Sequence, residues 1–243
     1  MEENTIESFK DFHQIIHDLG PKQARIFRGL SNVDYPLIPS ICRLNFSPVQ
    51  LRRIEKNLFK KFKESAVAYI EKVPSNDWEW LALTQHYGLC TRLMDWTYNP
   101  LVALFFAVEK ETDTDSCVYI TWNYRLITNM NTNPFNINEK INNSRYHIYR
   151  PTYFIQRIIA QSSIFSVHGL NKHEPNTNNI FKIIIKNNYR KELKNTIIKY
   201  GINYRTLYPD LEGLCKDLFW VETNNDRHNA GQDITVNTST STP

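Results

Sequence analysis

The run Phe181-Lys182-Ile183-Ile184-Ile185-Lys186 constrains the fold of this chain more than any other stretch. It reads as the clearest strand in the chain, buried on both faces, as in sheets that are covered on each side. Most of the remaining periodicity is helical. Together these patterns predict one α+β domain over residues 1–222, with helices packed around a small mixed β-sheet, and a disordered polar tail over 223–243.

Residues 5–19 show helical spacing of Ile6, Phe9, Phe12 and Ile16, opened by Thr5 with Ser8 and stopped at Leu19-Gly20-Pro21. Ala24 to Arg28 reads as a short buried strand ending at Gly29, and 30–46 as a loop punctuated by Pro36 and Pro39. Ser47-Pro48 opens a long helix reaching Lys72, with the stripe Leu51, Ile54, Leu58, Phe62 and Ala66 inward. Its basic residues, among them Arg52, Arg53, Lys56, Lys60 and Lys63, read as a solvated face, with nucleic-acid binding as the minority reading. Asp77 is the expected cap of a helix to about Tyr87, and Pro100 to Lys110 is a very apolar helix. Cys117–Trp122 and Ser163–Val167 read as strands. Pro151–Gln161, Tyr189–Tyr200 and Leu211–Val221 read as helices. Asn129–Asn143 and Lys172–Asn179 read as loops.

Composition narrows the function classes. The net charge is +4 and the pI about 8.8, mildly basic and short of the imbalance of a dedicated nucleic-acid binder. The polar start Met1-Glu2-Glu3-Asn4 is not a secretory signal, and no apolar run approaches a membrane span. Cys42, Cys90, Cys117 and Cys215 form no CxxC pair, which fits reduced thiols and a cytoplasmic setting. No metal is expected: His86/Cys90 and His13/His17 are spaced i,i+4 but lack further ligand pairs. There is no GxGxxG and no P-loop.

With only 7 glycines in the chain, one inside a dense polar segment is informative. That segment runs from Leu81 to Thr97 and sets Gln85, His86, Tyr87, Thr91, Arg92, Asp95, Trp96 and Thr97 around Gly88. Taken singly, these residues have bland readings: Asp95 pairing with Arg92 and capping the next helix, or Trp96 in the core. As a cluster they point to a functional cleft. The second piece is Phe27-Arg28-Gly29, where an arginine at the end of a buried strand needs a partner. Either a phosphate or carboxylate held bidentately, or a salt bridge with Asp95, would serve.

Several blocks resemble the bacterial FRG domain, named for its Phe-Arg-Gly motif. They are Ile26–Gly29, Leu37–Arg43, Gln85–Pro100, Leu101–Val108, Arg157 with Gln161–Phe165, and Gly201-Ile202 with Leu207–Leu214, spanning about residues 26–215. Leu30, Cys90 and Ser163 stand where the family commonly has Gln, Pro and Gly. The resemblance implies a bacterial or phage-linked protein of a defence or toxin locus. A more distant analogy links it to ADP-ribosyltransferases that use NAD as co-substrate and act on a macromolecule. On that analogy Arg28, His86, Asp95 and Glu212 are the catalytic set, with Glu212 as the acid. Phe27, Gly29, Tyr87, Thr91, Arg92, Gln161 and Ser163 would bind the cofactor, Arg28 and Arg92 through its phosphates. The alternative is a non-catalytic module recognising a nucleic acid or a nucleotide.

Overall fold

The computed structural model describes residues 2–20, 24–122, 124–136, 146–152, 155–170 and 180–224. The loop expected over 172–179, and the tail beyond residue 224, lie outside the described residues. Strand β1 (Glu2–Ile6) leads into helix α1 (Phe9–Asp18) and strand β2 (Ile26–Leu30). Helices α2 (Pro48–Ala66) and α3 (Asp77–His86) follow, then strand β3 (Leu93–Thr97), helix α4 (Pro100–Val108), and strands β4 (Ser116–Thr121), β5 (Tyr124–Leu126) and β6 (Tyr146–Tyr149). Helix α5 (Gln156–Ala160), strands β7 (Ser163–Val167) and β8 (Ile180–Ile185), and helices α6 (Arg190–Lys199), α7 (Tyr204–Leu207) and α8 (Leu211–Asn224) complete the order.

The expected small sheet is in fact an eight-stranded mixed sheet in the order β1-β8-β4-β2-β3-β7-β6-β5. The Ile-rich β8 lies between β1, parallel, and β4, antiparallel, and its side chains enter two cores, Phe181, Ile183 and Ile185 in one and Ile180 in another. Four strands, β1, β3, β5 and β6, escaped the periodicity. β1 is exposed at every position but Ile6, so only its pairing with β8 holds it extended. It also takes Thr5 out of α1, which starts instead from the Ser8 cap. β6 and its short parallel neighbour β5 form the other edge.

The centre of the sheet positions everything functional. β2 pairs with β4 along its whole length but meets β3 at one register position, Phe27 opposite Thr97. Side chains alternate across each strand. On one face Phe27 joins a core with α4, α1 and α6, while Leu93 joins a separate core with α2 and α3. Gly29, Asp95 and Thr97 lie on that face between the two. On the opposite face Ile26, Leu30, Met94 and Trp96 share a third core. Gly29 is required by α4: a Cβ there would overlap the Ala103 carbonyl and the Ala107 amide.

α2 begins with a capping box in which Ser47 and Gln50 bond reciprocally. It ends at Ala66, short of the expected Lys72, and continues as a 3-10 turn over Val67–Tyr69. Its inward seam is Leu51, Glu55, Phe59 and Ala66, rotated by one residue from the expected stripe. Glu55 on that seam meets Arg92. Both side chains are 2% exposed, with Arg92 Nη2 2.7 Å from Glu55 Oε2 and the Arg92 backbone amide 2.9 Å from Oε1. Asn76 caps α3, not Asp77, which instead pairs with Lys63.

Removing one member of a buried, fully bonded ion pair strands the other charge, at a cost of about 3–5 kcal/mol, whereas an apolar replacement of both is often tolerated. Glu55→Ala should therefore lower the urea midpoint far more than Glu55→Met combined with Arg92→Leu. Equal losses would show that the charges themselves are not what α2 and β3 depend on.

Candidate functional site

A cleft of about 400 Å³ opens where β2 and β3 separate. One wall is Phe27 to Ser31 of β2 and its end, backed by Phe106 and Lys110 at the α4 end. The facing wall is Asp95 to Thr97 of β3, with Gln85 and His86 from the last turn of α3. Arg157, Gln161, Ser163 and Tyr208 close one end, and Tyr35 and Arg43 stand at another. Four of these residues carry a full positive charge, Arg28, Arg43, Lys110 and Arg157, against one carboxylate, Asp95.

Arg28 occupies the place where the β2–β3 ladder stops. Its Nη1 donates to the backbone carbonyl of Asp95 at 2.5 Å and lies 3.7 Å from the Asp95 Oδ2 atom. Burial pushes its guanidinium down and Asp95 opposes this. Guanidinium nevertheless remains the cationic form at neutral pH. Its Nε is buried without a hydrogen-bond partner, and so is Nε of Arg157. Below Arg28 lies a neutral network. The Trp96 indole donates to Ser166 Oγ at 2.7 Å, and that hydroxyl is 2.6 Å from His168 Nε2. Burial, then the Arg28 charge, pushes His168 down to about 3, so its ring is neutral at physiological pH.

Asp95 is aimed by a chain of bonds that also fixes the Gln85 amide. The Leu93 amide donates to Thr91 Oγ1, Thr91 donates to Gln85 Oε1 at 2.7 Å, and Gln85 Nε2 donates to Asp95 Oδ2 at 3.0 Å. The Asp95 side chain keeps 55% exposure, open to a ligand. His86 faces the same space. Burial, then the Arg157 cation, holds its imidazole below the usual histidine range, against Asp95 and Asp210. A neutral imidazole there can accept a proton.

Arg28, His86, Asp95, Phe27, Gly29, Gln161 and Ser163 are thus brought together as the sequence suggested. Four others are not. Arg92 is consumed by Glu55 and has no path to a phosphate in the cleft. Thr91 is buried and acts through Gln85. Tyr87 stacks edge-on against His86 and is 63% exposed outside the lining. Glu212 lies outside the cleft lining, bonded to Lys216 at 2.7 Å and 3.8 Å from Arg157. Asp210 holds Arg157 at 2.8 Å without lining the cleft. The α4 N-terminus offers no anion site at Leu101, whose amide is taken by Asn99.

Residues 23–116 match the family model of the FRG domain. This stretch of the chain is an FRG domain. It contains Phe27–Gly29, Arg43, Gln85–Thr97 and Lys110, while Arg157, Gln161, Ser163 and Tyr208 come from beyond it. No curated protein and no solved structure matches the chain. Sequence reasoning missed Lys110 as a site residue, and passed over Arg43 and Arg157 although both stand in the blocks that carried the FRG resemblance. No helix among the described residues is long and apolar enough to cross a membrane.

If Arg157 helps hold His86 neutral, Arg157→Gln should raise the midpoint of the His86 imidazole, read from its ring resonances in a pH titration. A lowered midpoint would contradict the electrostatic account.

Proposed function

We propose that the cleft binds a phosphate-bearing nucleotide, NAD in particular, and that the FRG domain transfers ADP-ribose from it to a macromolecule. The observation that carries this reading is the charge pattern: four cations around a single exposed carboxylate, with two buried arginine Nε–H groups still lacking acceptors. Guanidinium groups satisfy phosphate oxygens bidentately, and a pyrophosphate supplies enough acceptors for both. Phe106, Tyr208 and Tyr35 offer aromatic surface for a base or nicotinamide ring.

In the transfer, the bond between the nicotinamide nitrogen and ribose C1′ breaks and nicotinamide leaves neutral. A nucleophile on the target bonds to C1′ and loses its proton to a base. Asp95 is the residue to hold a ribose hydroxyl and stabilise the developing oxocarbenium charge. His86, neutral beside it, is the base. In the setting that the FRG resemblance implies, a toxin or defence locus, such a transfer would inactivate its target.

The test is incubation of the protein with NAD and cell lysate. Binding should raise the melting temperature, and nicotinamide should be released. Asp95→Asn should reduce release about 10²–10³-fold and keep the thermal shift. Arg157→Gln with Lys110→Gln should lose the shift. Absence of both thermal shift and nicotinamide release would overturn the reading.

A further inference from the structure

The cleft wall at Tyr208 is fixed from outside the cleft. Helix α7 is only four residues long, opened by the Asn203 cap, with Pro209 two residues past its end. Asp210 then opens α8, its Oδ1 accepting from the Gly213 amide at 2.9 Å. Gly213 lets α8 close on this turn, since a Cβ there would overlap the Tyr208 carbonyl and Cβ. The Tyr208 hydroxyl donates to Glu109 Oε1 at 3.1 Å. Burial, then the Glu109 charge, pushes the phenol up, so it stays protonated and donates. Glu109 is itself tied down. Its carbonyl accepts from the Tyr204 hydroxyl at 3.1 Å and from Lys194, a 2% exposed side chain, at 2.9 Å.

Arg157 lies over this pinned ring. Its guanidinium carbon is 4.7 Å from the ring centroid, and its Nη2 is 2.8 Å from Asp210 Oδ2. A free arginine samples many rotamers, and a fixed ring under it with a carboxylate at its edge removes much of that freedom. We propose that Tyr208 and Glu109 are positioning residues of the cleft: the Tyr208 ring fixes where Arg157 presents its charge, and Glu109, outside the lining, fixes the ring. The consequence for binding rests on the nucleotide reading, because a phosphate would then meet Arg157 already in place. Glu109 falls within the FRG stretch and Tyr208 beyond it, so the pair joins the two parts of the chain at the cleft wall. His86 reports where Arg157 stands. Its charged neighbours are Arg157, Asp95 and Asp210, and of these only Arg157 disfavours the imidazolium.

The test is a pH titration of the His86 ring resonances in the whole chain. Tyr208→Leu removes the ring and should raise the midpoint, as Arg157→Gln should. In the Arg157→Gln background it should add nothing, because residues that act as one unit are not additive. Tyr208→Phe and Glu109→Ala break only the hydroxyl bond and should raise the midpoint part of the way. Glu109→Gln, whose amide oxygen still accepts, should keep the wild-type value. A wild-type midpoint in Tyr208→Leu would overturn the proposal, as would a rise that persists without Arg157. A Glu109→Gln value equal to that of Glu109→Ala would overturn the part given to Glu109. Should Tyr208→Leu not fold, Tyr208→Phe decides by the same comparison. Tyr208→Leu should also bind NAD about tenfold more weakly, and unchanged affinity would overturn the positioning role. If NAD gives no thermal shift with the wild type, the nucleotide reading fails alone and the His86 comparison still decides this one.

Discussion

The break between β2 and β3 is the constraint on which the rest of the molecule turns. Two neighbouring strands at the middle of an antiparallel run would ordinarily satisfy one another's amides and carbonyls along their length. Here they do so around Phe27 and Thr97 and then part. Backbone groups at such a break must find other partners or remain unsatisfied at real cost. Arg28 meets this need by donating to the Asp95 carbonyl. The Phe-Arg-Gly motif is therefore architectural at each position: Phe27 fills the core beside the last paired rung, Arg28 closes the open ladder, and Gly29 lets α4 lie directly on the strand. A cleft results because two separate helical cores cover the two halves of one face and nothing fills the seam between them.

Two arginines in the FRG stretch illustrate how burial divides structure from function. Arg92 is enclosed by Glu55, the Pro134 carbonyl and the Phe135 ring, and its charge is neutralised inside the protein. Arg28 has its Nη1 occupied but its Nε without an acceptor, and its nearest carboxylate stands at 3.7 Å, beyond hydrogen-bond contact. A ligand oxygen can thus improve on what Arg28 has, while at Arg92 it could only displace a better partner.

Much of this was legible in the sequence, for reasons that also mark its limits. Gly88 at a positive φ after α3, Ser47-Pro48 before α2 and the β8 isoleucines are local signals, and each element formed close to its expected place. β3 was not legible, because Leu-Met-Asp-Trp-Thr is buried on both faces and shows no alternation, apart from Asp95. The α2 seam was misread because Glu55 counts as polar in any periodicity, although pairing with Arg92 makes it a core residue. The same long-range partner removed Arg92 from the site. The two errors have a single cause, an ion pair between residues 37 positions apart.

The choice of carboxylate follows from the same geometry. Chain order favoured Glu212, but order carries no distance. On α8 that side chain is engaged with Lys216 at the surface, where water screens it and any charge stabilisation is weak. Asp95 sits at the ladder break, oriented by Gln85 and flanked by Arg28, with both its direction and its exposure set by the fold. Stabilising a developing positive charge requires a carboxylate whose position is settled before the ligand arrives, because reorganisation would consume the gain. By that criterion Asp95 is the carboxylate that the proposed transfer would use, whereas Asp210 and Glu212 stand 2.8 Å and 3.8 Å from Arg157.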